Sequence, residues 1–254
     1  MKEIENKIKD KLNEIEAEEN VTILFAVESG SRAWGFPSPD SDYDVRFVYK
    51  RNDINDYLKL EGIRDVIEYE INDVYDISGW DLNKTLKLLH SSNPVIFEWA
   101  NSPIVYKETP FLYEFREFIK PYFMTVKGAH HYLHMAERNY SEYLTGETVK
   151  LKKYFYVLRP ILATKYVLEY KTNPPMLFEE LVSSQLDSNI KPYIDNLLEM
   201  KKNVSELGIT NKIVPLNEYI EKELVLLANE VNSLKKEEVS WDELNDLFIK
   251  EITM

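Results

Sequence analysis

The chain of 254 residues has no cysteine, which removes disulfides, thiolate zinc sites and a cysteine nucleophile together. Histidine is nearly as scarce, with four residues, and glycine numbers only seven, so each glycine in a turn is a potential signal. No stretch approaches the roughly eighteen apolar residues of a membrane-spanning helix. The first twenty residues, MKEIENKIKDKLNEIEAEEN, are too charged for the apolar part of a signal peptide. A cytoplasmic protein is therefore expected. Positive charge is also in short supply. With 31 Lys and Arg against 44 Asp and Glu, the net charge of −13 opposes tight, sequence-independent binding to a phosphate backbone, which needs many cations to displace counterions.

What remains describes an ordinary globular protein. Hydrophobic residues make up 44% and charged residues 30%, so disorder is not indicated, and the length allows one large domain or two of common size. Seventeen tyrosines can cover helix interfaces with their rings, and aromatic rings can also stack on bases without adding charge.

Residues 2–18 place Ile4, Ile8, Leu12 and Ile15 at helical spacing with charged residues on the other faces. Residues 21–27 read as a short buried strand ended by Gly30 and Ser31, residues 42–49 as a second strand, 66–71 as a third and 74–77 as a fourth, with a turn at Asn72 and Asp73. Helical spacing returns over 80–90 and 94–100. Beyond about residue 107 strand signals nearly vanish, and helices are expected over 111–116, 126–144, 149–171, 175–181, 190–207, 216–234 and 241–252. The expected organisation is a domain mixing helices and strands over residues 1–107, followed by an all-α domain over 108–254.

Alternation along residues 42–49 puts Asp42, Asp44, Arg46 and Val48 on one face and Tyr43, Val45, Phe47 and Tyr49 on the other, which is the core face. Two carboxylates about 6–7 Å apart on a rigid strand repel unless a cation joins them. Mg²⁺ suits such a pair and bridges carboxylates to substrate phosphates. A solvated turn entrance with exposed aspartates would give the same Asp-x-Asp pattern. The turn upstream shifts the balance: Gly30 permits close backbone approach, and Ser31 opens a short helical turn whose amides face phosphate oxygens.

Gly30-Ser31, then Gly35, then Ser41-Asp42-Tyr43-Asp44 together resemble the signature of the DNA polymerase β-like nucleotidyltransferase superfamily. Within it the chain is similar to the YcgL-like, RlaP-type group associated with RNA repair. Segments 30–47, 76–89, 92–106, 151–163 and 174–181 carry the likeness, so it covers nearly the whole chain. The resemblance implies an α+β fold, a small mixed sheet with flanking helices followed by an all-α domain, and with it two Mg²⁺ or Mn²⁺ ions held by Asp42, Asp44 and a third carboxylate, a nucleoside triphosphate as substrate, and Gly30 and Ser31 at the triphosphate tail. Asp76 is the choice for the third carboxylate. Asp81 is the alternative, with an equally good reading as a helix N-cap, and Glu68 and Glu70 are weaker. From the helical domain Lys152, Lys153, Tyr156 and Arg159 are candidates for the nucleotide, set against a solvated helix face beside a core of Tyr154, Phe155 and Leu158. Lys84, Lys87, Arg32 and Arg46 are lesser candidates of the same kind.

His130 and His134, one helical turn apart beside His131, lack a third ligand and a glutamate between them, and read as structural rather than zinc-binding. The expected reaction is transfer of a nucleotidyl group from an NTP to a hydroxyl acceptor such as an RNA end. An antitoxin-like enzyme modifying a partner protein, an enzyme modifying a small molecule, and a non-catalytic nucleotide or RNA sensor of the same fold are the alternatives. No membrane partner is expected.

Overall fold

In a computed structural model, residues 2–38, 41–69, 75–203 and 208–254 are described. In chain order the elements are α1 (Lys2–Glu19), β1 (Val21–Glu28), α2 (Gly30–Ala33), β2 (Tyr43–Arg51), β3 (Val66–Glu68), β4 (Tyr75–Asp81), α3 (Leu82–His90), α4 (Pro94–Ala100), β5 (Val105–Lys107) and α5 (Pro110–Phe118). There follow α6 (Thr125–Tyr143), β6 (Thr148–Lys150), α7 (Leu151–Tyr170), α8 (Phe178–Gln185), α9 (Lys191–Asn203), β7 (Ile209–Asn211), α10 (Val214–Asn232) and α11 (Asp242–Thr253). Among the described residues no helix is long and apolar enough to cross a membrane.

These elements form two compact units. The first comprises Met1–Gly30, Asp42–Tyr122 and Val239–Met254, and the second Ser31–Ser41 and Phe123–Glu238. Chain order and spatial grouping therefore differ from a single cut near residue 107: a short loop before β2 groups with the helices, and the last helix groups with the sheet. The fold class is the expected one, a small mixed sheet with flanking helices and a helical region, and the helical region carries in addition the antiparallel ribbon β6–β7.

The sheet of the first unit runs β3-β4-β2-β1-β5. β1 pairs antiparallel with both β2 and β5, whereas β4 enters parallel to β2 and carries β3 antiparallel on its outer side. The chain thus leaves β2, forms the edge strand β3, and returns as β4 between the two. β1 reads VTILFAVE and is buried at seven of its eight positions, as expected for a strand covered on both sides. On one side α1 places Ile8, Leu12 and Ile15 against Val45, Phe47, Tyr49, Ile67 and Ile77, so the odd-numbered residues of β2 face the core, as alternation requires.

The expected third strand, 66–71, is observed over Val66–Glu68, and the turn at Asn72 and Asp73 lies outside the described residues, as does Glu70. The fourth strand is longer than its apolar run suggested. It continues through Ser78 and Gly79 to Asp81, so these two residues are mid-strand. Gly79 is required there because a Cβ would lie 2.2 Å from the Phe47 ring.

In the second unit α6 and α7 pack side by side, and α10 lies against both. A buried polar knot ties them: the Tyr154 hydroxyl donates to Asn217 Oδ1 at 2.7 Å and accepts from Ile213 N at 2.8 Å, while Asn217 Nδ2 donates to the Leu144 carbonyl at 2.9 Å. Each polar group inside the knot has a partner, as burial demands.

Candidate functional site

The parallel β2–β4 ladder sets Asp44 directly opposite Asp76. Neighbouring strands lie about 4.8 Å apart and paired residues point to the same face, so the ladder itself brings two carboxylates together from positions 32 residues apart. Both stand on the face opposite α1. The cation between them is Arg46. Its Nη2 donates to Asp76 Oδ2 at 2.7 Å and to Asp44 Oδ1 at 3.3 Å, and its Nη1 donates to the carbonyls of Asp76 at 2.9 Å and Val45 at 3.0 Å. Asp42 precedes the strand and is exposed.

Gly30 closes the other side of Asp44. Its φ is +61°, and a Cβ built there would lie 2.1 Å from Asp44 Oδ2, so the glycine serves the carboxylate itself. Asp44 is fixed through its backbone as well. Its N–H donates to Glu28 Oε1 at 2.7 Å and its carbonyl accepts from Ser29 N at 2.8 Å. Glu28 is fully buried and accepts a hydrogen bond from the Tyr106 hydroxyl. Glu28 and Tyr106 were not singled out in the sequence. The available signal was a charged residue ending an otherwise apolar strand, VTILFAVE, one position before the Ser29-Gly30 turn.

Asp81 takes the helix N-cap role. It accepts from Asn83 N at 2.7 Å and from the Tyr57 hydroxyl at 2.9 Å, is fully buried, and burial raises its pKa. Five residues from Asp76 on one strand, it points to the opposite face. Glu68 is exposed at the end of β3. Lys84 pairs with Asp65 at 3.2 Å, and Lys87 is exposed on α3.

In the second unit Ser31 is buried, and its hydroxyl donates to Ser41 Oγ at 3.2 Å. Ser41 Oγ also accepts from Ser38 N at 2.9 Å, and Arg32 Nη2 donates to the Ser41 carbonyl at 2.6 Å. The loop after Gly30 is thus closed on itself by serine hydroxyls and one guanidinium. Arg159 is only 2% exposed; its guanidinium lies 4.6 Å from the Trp34 ring centre and 3.7 Å from Met176 Sδ. Tyr156 meets Trp34 edge to face at 5.8 Å. Lys153 Nζ stands 3.3 Å from the Tyr143 ring centre and 5.2 Å from that of Tyr156, and burial lowers its pKa. Lys152 beside it is half-buried. Tyr154, Phe155 and Leu158 are core residues. His130 and His134 have ring centres 5.6 Å apart.

Carboxylate oxygens at Asp42, Asp44 and Asp76 are the donors that Mg²⁺ or Mn²⁺ takes, so the donor set fits a hard cation in kind. Among the described residues no group of three or more His, Cys, Asp or Glu is arranged to hold an ion as placed. Arg46 occupies the gap between two of the three, and a divalent ion there requires its guanidinium to yield.

The family model described as RlaP, RNA repair pathway DNA polymerase beta family, matches residues 4–250. The chain is 43% identical over 252 residues to the uncharacterized protein YcgL of Bacillus subtilis (strain 168), covering 98% of this chain and 96% of that protein. A crystal structure of a nucleotidyltransferase-like protein from Exiguobacterium sibiricum 255-15 aligns over 91% of this chain and 75% of its own, at 15% identity and a TM-score of 0.33. The family match across almost the full length, together with the relative, makes the chain a member of the RlaP, RNA repair pathway DNA polymerase beta family, and so a DNA polymerase β-like nucleotidyltransferase.

Proposed function

We propose that the protein is a divalent-metal-dependent enzyme that moves a nucleoside monophosphate from an NTP to a hydroxyl acceptor, and that the acceptor is an RNA end. The observation that carries this reading is the opposition of Asp44 and Asp76 across the β2–β4 ladder, with Gly30 closed against Asp44. A rigid pair of inner strands that presents two carboxylates side by side preorganises them for a cation-assisted reaction.

Asp42, Asp44 and Asp76 would hold Mg²⁺ or Mn²⁺, two ions in the family pattern. Bound there, the metal supplies a lowered pKa at the attacking hydroxyl and neutralises charge on the triphosphate. In the reaction the acceptor oxygen forms a bond to the α-phosphorus, the bond from that phosphorus to the bridging oxygen breaks, and pyrophosphate leaves with the electron pair. Asp76 is the group assigned to take the hydroxyl proton. Glu28 and Ser29 hold the backbone on either side of Asp44, which fixes its carboxylate before substrate arrives. Backbone at Gly30 and Ser31 is assigned to the triphosphate tail, and Lys152, Lys153 and Tyr156 to nucleotide contacts from the helical region. Arg159, buried against Trp34, has a supporting role for that ring.

The net charge of −13 favours an acceptor gripped at a defined end rather than along a backbone. Incubation with each α-labelled NTP, Mg²⁺ or Mn²⁺, and a panel of RNA ends, proteins and aminoglycosides tests the reading. Label is expected on RNA, with Asp44→Asn lowering the rate by about 10²–10⁴-fold, the scale of removing an acid–base or charge-stabilising group. Label on a protein or an aminoglycoside instead would replace the RNA acceptor. Metal-dependent NTP binding without transfer to any acceptor would point to a sensor. Undiminished transfer by an Asp42→Asn/Asp44→Asn double variant would overturn the mechanism.

A further inference from the structure

We infer that Arg46 is a built-in counter-ion that competes with the divalent metal: it holds Asp44 and Asp76 together in the metal-free protein and gives up that position when the ion binds. The inference rests on the proposed metal site and adds to it a residue that sets its affinity.

The geometry around the guanidinium is the ground for this. Asp44 and Asp76 are register partners on adjacent parallel strands, so their carboxylates are forced onto one face at strand spacing. Without a cation the repulsion between them falls on the fold. Arg46 stands two residues along β2 from Asp44, on the same face, and bends back along the ladder. Its Nη2 is shared between the two carboxylates at 3.3 and 2.7 Å, and its Nη1 is anchored on the carbonyls of Val45 and Asp76 at 3.0 and 2.9 Å. All four protons of the two terminal nitrogens therefore have acceptors within the site. The side chain is only 17% exposed, against 33% for Asp44 and 27% for Asp76, so water screens the three charges incompletely. A planar fork is suited to this task, and a lysine cannot reproduce it.

The same two carboxylates that receive the guanidinium are those that would hold a divalent ion. An ion and a guanidinium cannot occupy the space between Asp44 and Asp76 together, and even as neighbours they repel. Protein stability and metal affinity are thereby coupled in opposite directions through one residue. Removing the charge at position 46 costs stability in the metal-free protein and raises affinity for the metal, because the ion no longer displaces a cation.

The test is Mn²⁺ titration of the full chain without nucleotide, read by the loss of the free-ion electron paramagnetic resonance signal, in parallel with thermal melts with and without Mn²⁺. Arg46→Met is expected to melt below wild type without metal, to bind Mn²⁺ about tenfold or more tightly, and to gain more in melting temperature from Mn²⁺. Tenfold is the scale of a unit charge a few ångströms from a divalent ion even at a water-like dielectric, and the melting gain follows because a ligand stabilises the folded state by an amount that grows with the logarithm of its concentration over Kd. Arg46→Lys, which keeps the charge and loses the fork, should melt below wild type with Mn²⁺ affinity close to it. If Arg46→Met does not fold by far-ultraviolet circular dichroism, Arg46→Gln gives the same readout with one amide donor kept. Unchanged or weaker Mn²⁺ binding by the uncharged variant, beside measurable binding by wild type, overturns the inference and leaves the metal site standing. Absence of Mn²⁺ binding in both, with wild type and variant folded, overturns the metal reading and this inference with it.

Discussion

Asp44 is the residue on which the site's geometry converges: guanidinium on one oxygen, Gly30 against the other, and the backbone held from both sides. Gly30→Ala tests that convergence. A left-handed φ of +61° costs a non-glycine residue about 1–2 kcal/mol, and the new Cβ would collide with the carboxylate. Urea denaturation should show that loss, and label transfer should fall further than stability alone accounts for, because the displaced group is the carboxylate proposed to hold the metal. Asp81 offers the contrasting case. Its raised pKa comes from burial, so between the unfolded value and the raised folded value the native state binds more protons than the unfolded one. Stability from this group is complete at low pH and is lost as pH rises through the folded pKa. Wild type should therefore lose stability relative to Asp81→Asn as pH rises above the ordinary aspartate value of about 4, and the variant should keep nucleotidyl transfer, whereas Asp76→Asn should lose it. Spacing made Asp42, Asp44 and Gly30 legible as a set. Arg46 was legible as sharing their face, but its partner Asp76 depends on a register that one sequence does not carry.

At the scale of elements, local pattern located the two long central strands and nearly every helix, because burial on one face leaves a period in the chain. What it missed lacked a period long enough to read. β5, β6 and β7 have three residues each, and only long-range pairing defines them. The apolar run of β4 ends at Ile77 and a serine-glycine pair follows, which is turn composition, yet the glycine is there to clear the Phe47 ring. That close approach makes a two-residue prediction. Gly79→Ala alone should destabilise by about 1–3 kcal/mol, the usual cost of forcing a methyl into a packed core. Adding Phe47→Leu should recover part of that loss, so that the pair is far from additive in urea melts. Equal, additive losses would mean that Phe47 is not what the glycine accommodates.

At the scale of the whole chain, sequence order misleads about the last helix. Composition assigns residues 239–254 to the helical region they follow, but they belong to the sheet unit, and nothing in an amphipathic helix names its distant partner. The contacts are specific. Trp241 stacks on His90 at 3.5 Å and 9°, Phe248 meets Tyr57 edge to face at 5.3 Å, Lys50 Nζ donates to the Glu251 carbonyl at 2.5 Å, and Leu244 is 1% exposed. Through Tyr57, which donates to Asp81, α11 also supports the cap that starts α3 directly after β4. Ending the chain at Glu238 should therefore loosen a region far away in sequence, with a stability loss on the order of 3–5 kcal/mol from the exposed apolar side chains. Amide hydrogen exchange locates the effect: protection should fall over β2, residues 54–58 and α3, while α6 and α7 keep theirs. A synthetic peptide of residues 239–254 added in trans should restore protection in the same segments. A loss confined to the helices of the second unit would show that α11 is held there instead.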